Sequence, residues 1–130
     1  MFELSTLAAK DSVELELKHP VTDEILVDEK GNAVKAILWG TSSKAYRTAI
    51  NALQNRQLKR GKKQARPEEL REEGVSLLTA CTQRFENMSI DGQPLDNEDA
   101  IAALYRDDRF LWVKTQVDEA LGDISLFIKA

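Results

Sequence analysis

Thirty-six consecutive residues, Gly31 to Arg66, hold nine Lys and Arg and not one Asp or Glu. The flanks are the reverse: residues 1–30 carry three bases against eight acids, and residues 67–130 carry six against fourteen. The three segments score −5, +9 and −8, which combine to the overall −4. A net charge near neutral hides an acid–base–acid layout. Such asymmetry within a small domain speaks of association rather than catalysis. It also limits local structure, because Lys59-Arg60-Gly61-Lys62-Lys63 brings like charges together around a helix-weakening glycine. A helix entering this stretch is predicted to fray or turn there.

Around that stretch the chain reads as one α+β domain over residues 1–130. It has a small antiparallel sheet of about three strands in residues 1–40, a basic helix and arm in 41–66, and a helical portion in 67–130, about four helices in all. With 130 residues it can bury a modest core. Val13, Leu15 and Leu17 alternate with Glu14, Glu16 and Lys18, the period of a strand with one wet face. His19-Pro20 ends it. Ile25 to Val27 and Val34 to Trp39 read as a hairpin, with Gly31 or Asn32 supplying positive φ in the turn.

Gly40 closes the sheet, and Thr41 or Ser42 is placed to cap a helix whose Tyr46, Ala49, Ile50 and Leu53 share one stripe. Pro67 suits the first turn of a second helix, with Glu68, Glu69, Glu72 and Glu73 near its positive end. Leu70, Gly74, Leu77, Leu78, Cys81 and Phe85 are predicted as its buried face. These two helices are expected to form an antiparallel hairpin in which the basic arm lies close to the acidic start of the second helix. Met88 to Leu95 is extended with a turn, and Asp96 or Asn97 caps a brief helix with Ile101, Leu104 and Tyr105 inward. A last helix carries Phe110, Val113, Val117, Leu121 and Ile124, followed by apolar Phe127-Ile128.

Chemistry-bearing constellations are missing from the sequence. The single His19 has no second His or Cys at metal-ligand spacing, so neither a metal site nor a Ser-His-Asp set is expected. No Gly-rich phosphate loop is present. Asp107-Asp108 and Asp118-Glu119 are adjacent on their helices, point to different sides, and read as solvated faces. Cys81 is expected to be a small buried hydrophobe. No run approaches the ~20 apolar residues of a membrane span, and residues 1–4 lack a signal-type start. The expectation is a cytosolic protein that is not an enzyme and needs no cofactor.

The candidate contact residues are therefore Arg56, Lys59, Arg60, Lys62 and Lys63 of the arm. Three readings fit them: a solvated loop, a dock for an acidic protein surface, and a nucleic-acid site. The last is disfavoured, since Tyr46 is the only aromatic in the stretch after Trp39 and the chain as a whole is acidic. Leu111 and Trp112 form a second candidate. Beside Phe110 and Val113 they are more apolar surface than one buried face holds, which fits either a wide core helix or a partner contact.

Several strings and their order resemble the tail assembly chaperones of long-tailed, siphovirus-type (lambda-like) bacteriophages and prophages. Asp23-Glu24-Ile25-Leu26 to Gly31, Gly40, Thr41-Ser42-Ser43 and Tyr46-Arg47 carry the first half of the resemblance. Asp91-Gly92-Gln93-Pro94-Leu95, Asn97-Glu98-Asp99-Ala100 and Gln116-Val117-Asp118-Glu119 carry the second. The resemblance spans most of residues 13–128. Many relatives have a Trp just before the Asp-Gly turn, where this chain has Phe85-Glu86-Asn87-Met88. It implies a self-associating, non-virion protein that binds the tape measure protein, keeps it soluble, and helps tail tube protein polymerise around it. A longer, frameshifted form is common in that family. The alternatives are a small nucleic-acid-binding phage or host regulator and a structural minor tail protein.

Overall fold

The computed structural model describes residues 1–123 and Ile128. Ile124 and Phe127, expected on the apolar side of the last helix and beyond it, lie outside the described residues. The chain is α+β, with a three-stranded antiparallel sheet and four α-helices among the described residues. Strands β1 (Ser12–Glu16) and β2 (Lys35–Trp39) precede helices α1 (Lys44–Arg60) and α2 (Pro67–Cys81). Strand β3 (Thr82–Glu86) and a two-residue hairpin, β4 (Ser89–Ile90) and β5 (Gln93–Pro94), follow. Helices α3 (Glu98–Arg106) and α4 (Leu111–Gly122) complete the order.

β2 is the central strand, with Val13 opposite Leu38 and Leu15 opposite Ala36 on one side and Phe85 opposite Ala36 on the other. The alternation in β1 thus lays Val13 and Leu15 on the core face, with Glu14 and Glu16 outward. The third strand is not the predicted one. Ile25 to Val27 makes only isolated bridges, Lys18 with Ile25 and Val27 with Ala33. Leu26 reaches the core edge by donating to the Leu17 carbonyl and accepting from the Val34 N–H, both at 2.9 Å. Its neighbours Ile25 and Val27 stay exposed. Gly31 takes the positive φ of this turn, and Asp28 accepts from the N–H groups of Lys30 and Asn32.

The third strand is β3, a segment that sequence spacing assigned to the preceding helix. α2 ends at Cys81, where Thr82 turns extended and its hydroxyl bonds the Leu78 carbonyl and the Tyr105 hydroxyl, each at 2.7 Å. Ile37 pairs with Arg84 but Leu38 pairs with Thr82, so Gln83 is an extra residue in the ladder. This bulge turns both Thr82 and Phe85 inward. The resulting spacing imitates a helix. Leu70, predicted to be buried on α2, is instead 56% exposed near its start.

The core lies between the sheet and three helices. Leu17, Val34, Ala36, Leu38 and Phe85 face Val75 and Leu78 of α2, Ile101, Leu104 and Tyr105 of α3, and Val113, Val117 and Ala120 of α4. Full burial of each large aliphatic contributes about 1.5–3 kcal/mol. Asn97 caps α3 through the Ala100 N–H, and Asp91 and Gly92, both at positive φ, close the β4–β5 hairpin. Phe110, predicted to lie in the last helix, belongs to a 3-10 turn, Asp108–Phe110, ahead of α4. Among the described residues no helix is long and apolar enough to cross a membrane.

α1 stands apart. It contributes no residue to the core and has no buried residue. The shared stripe of Tyr46, Ala49, Ile50 and Leu53 is only half-buried against α2.

Candidate partner-binding site

Helix α1 is capped by Ser43, not by Thr41 or Ser42. The buried Ser43 hydroxyl donates to the Gly40 carbonyl at 2.6 Å and accepts from the Tyr46 N–H at 3.1 Å. Only a residue immediately ahead of the helix can reach that third-position N–H. Gly61, at φ 64°, ends α1, and its N–H bonds the Gln57 and Leu58 carbonyls. The glycine predicted to disrupt the helix is its C-terminal stop.

Beyond Gly61 the chain returns as α2, and the acidic first turns of α2 meet the basic end of α1. Arg60 Nη1 lies 2.6 Å from Glu73 Oε1 and 3.5 Å from Glu69 Oε2. Glu73 is itself buried. Arg60 is therefore engaged within the molecule, its charge matched by these two carboxylates. Arg66 makes a looser, exposed pair with Glu69 at 4.0 Å. Arg56, Lys59, Lys62 and Lys63 make no ion pair among the described residues, nor do Lys44 and Arg47. Arg56 joins Arg60 in lining a cleft of about 300 Å³ with Glu69, Glu72 and Glu73.

Two of these cations, Lys44 and Arg56, line an apolar groove that the sequence alone does not reveal. It holds about 680 Å³ between α1, α2 and the end of β2. Ala45, Ala49, Ala52 and Leu53 form one wall, Leu77 and Ala80 the other, with Trp39 at the sheet end. Lys44 and Arg56 are cationic positions along the α1 wall. Small side chains spaced three and four apart keep the two helices from filling the space between them. That spacing was the available signal.

Leu111 and Trp112 are placed elsewhere. Leu111 is 57% exposed at the start of α4, while Trp112 is half-buried against the core. Neither lines the groove or the acidic cleft.

Burial and hydrogen bonding shift several titratable groups. Burial pushes the Cys81 thiol up to about 11, away from the reactive thiolate. Burial also raises the Tyr105 phenol, with its Thr82 hydrogen bond pulling the other way. Asp107 is held below the ordinary carboxylate range by the Arg109 side chain, which it engages at 2.7 Å. The His19 ring accepts from the N–H groups of Val21 and Thr22, fixing a turn. Among the described residues no three His, Cys, Asp or Glu cluster as metal ligands would. The arrangement combines an apolar groove, small-residue walls and two cations on the α1 wall, Lys44 and Arg56, that make no ion pair among the described residues. Comparison with protein-family models, with curated proteins and with solved structures gave no match.

Proposed function

We propose that this chain is an assembly chaperone of the phage-tail type, whose helix α1 holds apolar, acidic helical segments of tape measure protein. The observation that carries the reading is that α1 has no buried residue, borders an open apolar groove, and bears cations, Lys44, Arg47, Arg56 and Lys59, that make no ion pair among the described residues. An amphipathic helix laid in such a groove buries its apolar stripe and sets its carboxylates on Arg56, Lys59, Lys62 and Lys63. The order of sequence strings described above supports the phage-tail assignment. In that role the protein works as a homo-oligomer in the bacterial cytoplasm, helps tail tube protein assemble around the tape measure, stays out of the virion, and catalyses nothing.

Co-expression tests this directly. Tape measure protein is expected to be soluble with the wild-type chain and to precipitate with a variant carrying Leu53→Asp, Lys62→Glu and Lys63→Glu. Equal solubility with and without the chaperone ends the proposal. Tight binding of labelled DNA or RNA that weakens steeply as salt rises would instead favour a nucleic-acid role for the same cations.

A further inference from the structure

The segment ahead of β1 displays large apolar side chains that the fold leaves in water. Phe2 and Leu4 are 72% and 75% exposed, and Met1 and Leu7 are exposed as well. No residue from 1 to 10 is even half-buried. The only order is a 3-10 turn, Leu4–Leu7, tied locally by the Glu3 carboxylate accepting from the Ser5 hydroxyl at 2.8 Å. That same bond holds the Glu3 carboxyl below its ordinary range.

The root of this segment borders the groove. Asp11 lines its sheet end, and the Asp11 carbonyl accepts from the Gly40 N–H at 2.7 Å, pinning the chain there. Even so, the segment stands clear of its own groove. Ten extended residues span at most roughly 33–36 Å. The α1 wall from Lys44 to Arg56 runs roughly 18 Å, so a segment arriving from a neighbour can cover its full length. Charge places Glu3 on the α1 wall. Glu3 is the only charged side chain in residues 1–9, and of the charged residues lining the groove Asp11 stands at the sheet end and Glu73 is held by Arg60, while Lys44 and Arg56 on the α1 wall make no ion pair among the described residues.

We propose that residues 1–8 of a second copy dock in the groove between α1 and α2, with Phe2, Leu4 and Leu7 against Ala49, Ala52 and Leu53 and Glu3 beside the groove cations. Made reciprocally about a two-fold axis, the exchange covers an exposed apolar segment and an open groove on both copies. It rests on this segment and this groove, and stands whether or not the groove also receives a client helix.

Sedimentation of the purified full chain over a wide concentration range, with no other protein present, tests the exchange. The full chain is expected to dimerise, and deletion of residues 2–8 and the groove variant Leu53→Glu are each expected to weaken dimerisation at least about tenfold. Circular dichroism should show both variants folded. An equimolar mixture of Leu4→Cys and Ala52→Cys chains is expected to form an interchain disulfide on oxidation, since Cys81 is buried. A full chain that stays monomeric throughout overturns the proposal. So does a dimer that neither variant weakens, or a Leu4→Cys, Ala52→Cys double variant that closes within its own chain.

Discussion

The side-chain amide of Gln116 pairs with the backbone of Lys18 in both directions. The Lys18 N–H donates to Gln116 Oε1 at 2.9 Å, and Gln116 Nε2 donates to the Lys18 carbonyl at 2.8 Å. A glutamine on α4 thereby completes the ladder of a chain segment 98 residues away, as a neighbouring strand would. Gln116→Ala is expected to destabilise the protein by about 0.5–1.5 kcal/mol, because two hydrogen bonds that tie α4 to the exposed Lys18 backbone pass to water. Thr115→Ala, one residue away and exposed, is expected to stay within about 0.5 kcal/mol. Urea unfolding midpoints of the two variants give the comparison, and equal midpoints would remove Gln116 from any structural role.

The pair Arg60–Glu73 predicts a different pattern for the basic stretch. Arg60→Ala leaves the buried Glu73 carboxylate without its nearest cation, at an expected cost of about 1–3 kcal/mol given the partial exposure of the pair. Lys59→Ala and Lys62→Ala are expected to change stability by less than about 0.5 kcal/mol. Amide hydrogen exchange should show the Arg60→Ala effect chiefly in α1, which can open while the core stays closed. Uniform loss of protection in α1, α3 and α4 would contradict this.

Alkaline unfolding should report Cys81 and Tyr105. Both acids have folded values raised above their ordinary 9.0 and 10.0 by burial. Their contribution is therefore complete below those values and is lost as pH rises through the folded ones. Stability is expected to fall from about pH 9 upward. Tyr105→Phe should flatten the part of the decline above 10.0, and a maleimide should label Cys81 only as fast as the protein unfolds. Rapid labelling of the native protein at pH 8 would contradict the burial.

The acid limb has the opposite sign. Asp28, held low by the Asn32 N–H, and Asp107, held low by Arg109, stabilise the fold above the ordinary carboxyl value of 3.8 and lose that contribution as pH falls through their lowered values. Asp28→Asn and Asp107→Asn should each reduce the steepness of acid unfolding below that value. An unchanged acid limb in both variants would show that neither carboxylate is linked to folding.

Much of the fold is legible in the sequence wherever one local rule acts alone. The alternation at Val13 and Leu15 found β1, Pro67 found the start of α2, and Ile101, Leu104 and Tyr105 gave the inner face of α3. β3 was hidden because its bulge at Gln83 brings Thr82 and Phe85 to one face at a spacing that a helix also satisfies. Ile25 to Val27 looked like a strand, yet only Leu26 among them approaches the core. At the candidate site, a count of charges located the arm, and the acidic start of α2 foreshadowed a neighbour for it. The groove escaped because Ala45, Ala49 and Ala52 have the look of any solvent-facing helix until α2 is placed beside them.

A helix that the core does not require can be rewritten on its outer side without unfolding the rest. In this chain α1 is such a helix, tied on by its Ser43 cap and the Arg60–Glu73 pair. Specificity and foldability are thereby encoded in separate stretches of one short polypeptide, and α1 is the place to engineer a new binding preference.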